Sequence, residues 1–176
     1  MKGDHVNQDH FLQLLRSALL AIREPRFYKT EREYQEELLV QIRARLEETP
    51  IWPGSPIVEQ EYQENADAHN IDIRPDLIIH CPFARGMFES RTQGDYVVVE
   101  LRRRANRRAA LQDYAKLDRI CTVLDYAMGI FINVDSTHIF LPEYGSEGSG
   151  RLHGFAVELR GGQVYIQEGH PYQFQR

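Results

Sequence analysis

The chain has 176 residues, of which 42% are hydrophobic and 27% charged, and its formal net charge is −5. That length suits a single domain, spanning 1–176, whose core needs no disulfide or metal staple. The composition is too apolar for general disorder, and the charge excludes a polycation that holds nucleic acid by bulk attraction.

No apolar run approaches the roughly 18 residues of a membrane helix, so no membrane partner is expected. The opening MKGDHVNQDH is polar and acidic and does not read as a secretory signal. Cys81 and Cys121 lack metal-ligand spacing, which fits a reduced, cytoplasmic compartment.

In chain order, residues 9–23 repeat apolar side chains at helical spacing (Phe11, Leu12, Leu15, Leu19, Ile22), and Pro25 ends or kinks that helix. Its role is to cover the sheet or to make a homodimer contact. A second helix is expected over 30–48, stopped by Pro50 and Pro53. Residues 56–63 read as a strand or edge hairpin and 71–79 as a stronger strand, the latter with Pro75 marking an edge, a bulge or a start. A loop at 81–94 precedes the strongest strand, 95–102 (DYVVVELR). A helix over 106–124, a strand at 127–134 and a short strand at 137–141 follow. After the loop 142–151, FAVELR and QVYIQE flank Gly161 and Gly162 as a closing hairpin, 155–167. The strand–helix–strand unit at 95–134 implies a parallel pair, and the consecutive early strands imply antiparallel pairing. The fold class is therefore α/β, a central mixed β-sheet flanked by helices.

Three acids stand where apolar residues are expected. Side chains alternate along 95–102, so Tyr96, Val98, Glu100 and Arg102 share one face. Glu100 ends an apolar run, and Asp76 sits one residue past Pro75, ahead of Leu77, Ile78 and Ile79. Carboxylates in such places are costly to desolvate unless paired or bound to a cation. Two on neighbouring strands invite a hard ion such as Mg²⁺. On the second helix Glu31 and Gln35 fall about 60° and about 100° from Tyr34, inside the apolar face. Each acid alone has a plain reading: a turn or cap for Asp76, an edge charge pair for Glu100, a dipole partner in the first helical turn for Glu31.

The set TEREYQEEL (30–38), RPDLII (74–79) and VVVELR (97–102), followed by the helix ALQDYAKLDRIC, resembles the PD-(D/E)XK, restriction-endonuclease-like nuclease superfamily. The similarity covers about 28–134, with the closing hairpin as an embellishment. The resemblance implies a metal-dependent phosphodiester hydrolase using Mg²⁺ or Mn²⁺ on a nucleic acid, DNA first. Asp76 and Glu100 would bind the metal, with the Leu101 carbonyl assisting, and Glu31 would orient a metal-bound water or complete the outer shell. Arg102 stands at the signature lysine and would contact the scissile phosphate. Arg keeps the charge and can fork onto a phosphate, but it cannot give up a proton. On a helical wheel centred on Tyr114 and Cys121, Lys116 lies opposite the apolar face, which argues against it as the missing cation. The alternative is a catalytically inactive protein on the same scaffold that binds nucleic acid or a protein partner.

Residues 102–108 (RRRANRR) hold five arginines in seven positions, and the chain has 18 Arg against three Lys. Arg103, Arg104, Arg107 and Arg108 read as a phosphate grip of salt-sensitive affinity, or as a solvated helix start. Asp118 and Arg107 fall near the apolar stripe of the 106–124 helix. His69, His80 and His138 have no ligand spacing and read as turn or surface residues.

Overall fold

A computed structural model describes residues 2–49, 51–52, 56–60, 74–81, 94–145 and 150–170. The expected strand residues 61–63 and 71–73, most of the loop 81–94, residues 146–149 and His69 lie outside them.

Helix α1 (Lys2–Ala21) begins earlier than its apolar spacing suggests and lays Phe11, Leu12, Leu15, Ala18 and Leu19 into the main core. Covering the sheet is thus its observed role. Pro25 does not simply end the helix, because Pro25–Tyr28 forms one 3-10 turn. Helix α2 (Glu31–Glu48) starts at Thr30, whose hydroxyl accepts from the Glu33 backbone N–H at 3.1 Å and donates to the Glu33 carboxylate at 2.9 Å. This reciprocal cap fixes the first turn and therefore the position of Glu31.

One six-stranded sheet runs in chain order: β1 (Ile57–Gln60), β2 (Leu77–His80), β3 (Asp95–Arg103), β4 (Met128–Val134), β5 (Leu152–Arg160) and β6 (Gln163–Gly169). The pairs β1–β2, β2–β3 and β5–β6 are antiparallel, while β3–β4 and β4–β5 are parallel. Helix α3 (Arg107–Val123) makes the β3-to-β4 connection. The closing hairpin turns through Gly161 and Gly162 at φ 55° and 79°, left-handed values that glycine adopts without a Cβ clash. It is no appendage: β5 pairs along β4, and Phe155 and Val157 are fully buried.

The sheet separates two apolar clusters. Val97, Val99 and Leu101 of β3 face α1 and α2, whereas Val98 faces α3 with Tyr114, Leu117 and Cys121. Strict alternation fails at Tyr96. The β2–β3 register slips between Ile79 and His80, so Ile79 pairs with Val97 and His80 with Asp95. The extra residue turns Tyr96 toward α1 and α2, where it stacks on Trp52 with ring centroids 4.6 Å apart and planes 4° from parallel. Trp52 in turn lies 5.3 Å from the Phe11 ring.

The short strand expected at 137–141 does not form. Phe140 adopts φ 54°, and a one-turn helix α4 (Leu141–Tyr144) follows with Pro142 in its first turn. The backbone there is held by a side chain instead. Asn133, fully buried on β4, donates to the carbonyl of His138 at 2.9 Å and to Ser136 Oγ at 3.0 Å.

Candidate functional site

The sequence-selected acids meet at the carboxyl end of β3, where β2 begins. Antiparallel pairing brings these two ends together, and α3 covers them from one side. Crevices beyond the carboxyl ends of parallel strands, here β3 and β4, are where α/β sheets commonly place ligands.

Asp76 immediately precedes β2. Its Oδ2 accepts from the Leu101 backbone N–H at 2.7 Å, and Gln35 of α2 donates to the Asp76 carbonyl at 2.9 Å. The buried Gln35 thus finds its partner in the backbone of the site and fixes the register of Asp76 against α2. Burial raises the Asp76 pKa, opposed by the Leu101 hydrogen bond and the Lys116 charge.

Glu100 is 4% exposed. Burial and then the Asp76 charge push its pKa up to about 8. Its Oε1 lies 2.6 Å from Lys116 Nζ. Lys116 also donates to the Arg74 carbonyl at 2.9 Å. The cation judged unsuitable on the helical wheel therefore stands at the carboxylates. The buried positions of α3 are Ala110, Asp113, Tyr114, Leu117, Ile120 and Cys121. Their centre is turned by roughly 50° from a wheel set on Tyr114 and Cys121. Lys116 then lies on the flank of the helix, and its four methylenes carry the ammonium inward.

Arg102 is half-exposed and forked onto Asp113, with Nε to Oδ2 at 2.7 Å and Nη2 to Oδ1 at 3.2 Å. The Asp113 hydrogen bond raises the Arg102 pKa further. Asp113 is buried. Sequence reasoning passed over it, although it lies three residues after Ala110 and four before Leu117, on the apolar stripe.

Glu31 Oε2 accepts from the Arg103 backbone N–H at 3.1 Å, so α2 grips the end of β3. Arg103 donates through Nε to the Tyr28 carbonyl at 2.7 Å and pairs with Asp135, which also takes Arg104. Arg107 and Arg108 open α3 as exposed residues. Of the four arginines read as a phosphate grip, two are thus engaged by Asp135 and two lie on the surface. Asp118, the other residue left open on that stripe, accepts from the Tyr144 hydroxyl at 3.2 Å. His80 pairs with Glu59 across β1 and β2 at 2.9 Å, and His138 is exposed.

Among the described residues, no group of three or more His, Cys, Asp or Glu side chains is arranged to hold a metal ion. What Asp76 and Glu100 offer is a pair of hard oxygen donors. They interact unfavourably with each other, and the Glu100 carboxylate is held largely out of water. Such a pair suits Mg²⁺, which typically takes one or two carboxylates and keeps several waters. Among the described residues, no helix is long and apolar enough to cross a membrane. Comparison with family models, with curated proteins and with solved structures finds no match.

Proposed function

We propose that the chain is a metal-dependent phosphodiester hydrolase of the nuclease type, acting on DNA. The observation that carries this reading is the meeting of Asp76, Glu100 and Lys116 around one spot at the end of β3. Asp76 and Glu100 would hold Mg²⁺ or Mn²⁺. The ion, when bound, lowers the pKa of a coordinated water and steadies charge on the phosphoryl oxygens.

The chain's own groups do the rest. Lys116 brings a mobile positive charge to the carboxylates, the role that the signature lysine has in the resembled family. Arg102 is held in place by Asp113, which also offsets its charge. Gln35 and Glu31 hold the backbone of Asp76 and Arg103, which keeps the donors in register. Arg107 and Arg108, exposed at the start of α3, would contact a phosphodiester backbone.

The test is cleavage of single- and double-stranded DNA and of RNA with Mg²⁺ and Mn²⁺. Asp76→Ala should abolish turnover, and absence of cleavage with every substrate and ion would reject the hydrolase reading. A second reading is supported by the Glu100–Lys116 contact itself: an ammonium 2.6 Å from the carboxylate can neutralise the pocket without a metal. On that reading the scaffold binds nucleic acid, or a protein partner, without cutting. Salt-dependent DNA binding with no turnover under either ion would favour it.

A further inference from the structure

On the face covered by α1 and α2, an open hollow of about 640 Å³ is lined by Gln13, Arg16, Ser17, Arg23 and Arg45 with apolar Leu20 and Ala21, and by no acid. We propose that this hollow seats the phosphate group of a small soluble ligand, with Arg23 and Arg45 as its principal cations. The hydrolase reading is not a premise of this site, which lies on the side of the sheet opposite Glu100 and Lys116.

Two helices build the hollow. Arg45 of α2 reaches across to α1, where its Nε donates to Ser17 Oγ at 3.1 Å and its Nη2 to the Ser17 carbonyl at 3.2 Å. On its own helix its Nη1 donates to the Gln41 carbonyl at 2.9 Å and to Gln41 Oε1 at 2.7 Å. All of these acceptors are neutral. They fix the plane of the guanidinium and leave its charge uncompensated. Arg23 donates through Nε to the Leu20 carbonyl at 3.2 Å, also a neutral acceptor, and keeps both Nη groups for a ligand. That contact covers one of the carbonyls at the end of α1, where the helix dipole disfavours an anion. Arg16 differs, because Glu168 pairs with it and offsets its charge. Among the described residues, neither Arg23 nor Arg45 is paired with a carboxylate.

Like charges gathered without a counter-charge repel each other, and an anion seated among them relieves the repulsion. The donors match a phosphate. The free Nη groups of Arg23 can fork onto two of its oxygens, a geometry that arginine offers and a point charge does not. The Ser17 hydroxyl accepts from Arg45 and has its own hydrogen left to donate, and the Gln13 amide stands beside it. The chain as a whole carries a formal net charge of −5, so the hollow is a local basic spot on an acidic protein. Such a spot suits a small ligand better than a long polyanion, whose affinity grows with the number of phosphates neutralised. Open to water and salt, it is expected to bind with modest affinity.

The experiment is an NMR titration of the isotope-labelled, metal-free full chain with sodium phosphate at constant pH and ionic strength. Saturable shifts are expected at the Ser17 and Leu20 amides and at the Arg23 and Arg45 Nε–H groups, with a Kd on the order of 1 mM. Arg23→Gln, at an exposed position, should weaken binding about 10-fold, and Arg45→Gln by a similar factor. The double variant Arg107→Gln, Arg108→Gln should leave it unchanged. Circular dichroism confirms that each variant is folded. No saturation up to ~20 mM phosphate, or equal binding by wild type and Arg23→Gln, overturns the site. Loss of binding in the Arg107→Gln, Arg108→Gln variant moves the phosphate to α3 and overturns it as well. Binding to phosphatidic acid vesicles with no response to free phosphate would make the surface a lipid contact and overturn the soluble ligand.

Discussion

Two buried polar side chains on adjacent strands, Asn133 and Glu100, meet opposite fates. Asn133 accepts from the Ala105 N–H at 2.9 Å and donates to the carbonyls of Ala105 and His138 and to Ser136 Oγ. All of its polar atoms are satisfied, which ties the turn after β3 to the segment after β4. Glu100 has a carboxylate neighbour, a single ammonium and little water. A fully satisfied buried network specifies shape. A carboxylate kept in an unfavourable setting is common where a ligand binds or chemistry occurs. The difference singles out Glu100, and not Asn133, as the candidate for a role beyond shape.

That contrast can be broken in four ways. The largest effect is expected from Asp76→Ala, which should lower Mg²⁺-dependent cleavage by roughly 10³-fold or more while the circular dichroism spectrum stays unchanged. Lys116→Met should cost about 10²-fold in kcat, the scale of losing one charge-stabilising group, and should leave DNA affinity nearly intact. An unaltered kcat would return the cation role to Arg102.

Asn133→Ala should destabilise the fold by about 2–3 kcal/mol in urea unfolding, because it strands several buried backbone groups. Turnover per folded molecule should change little. The reverse pattern, stable protein with lost turnover, would erase the distinction.

Glu100→Gln gives the smallest and most diagnostic change. The folded pKa of about 8 lies above the ordinary 4.5, so the folded state holds a proton that the unfolded chain releases. The stabilising contribution of the protonated acid is complete below about pH 4.5 and is lost as pH rises toward 8. Glu100→Gln, permanently neutral, should therefore match wild-type stability near pH 4.5 and exceed it increasingly as pH rises toward 8. Wild-type cleavage should climb over the same window, since an ion must displace that proton.

Much of the architecture was legible in the residues. Thr30 and Pro50 bracketed α2 to within two residues, the valine run located β3, and the paired glycines located the last turn. The wheel also found Gln35 buried, although not that its partner is a backbone carbonyl. Asp76 and Glu100 were readable because each interrupts an apolar pattern. Lys116 was not, because a wheel places a side chain at its Cβ and ignores the reach of a lysine stem. The segment 137–141 was misread because Ile139, Phe140 and Leu141 suit a strand locally. Asn133, more distant in sequence, holds the preceding backbone in another path.

The chain has one tryptophan, and Trp52 is pressed between Tyr96 and Phe11 on the face covered by α1 and α2. Glu100 and Lys116 lie under α3, on the reverse face. The molecule therefore carries a built-in optical gauge set apart from the candidate site. Indole emission follows loosening of the helix-covered side, so a variant that loses turnover while its fluorescence stays native has been damaged beneath α3 alone.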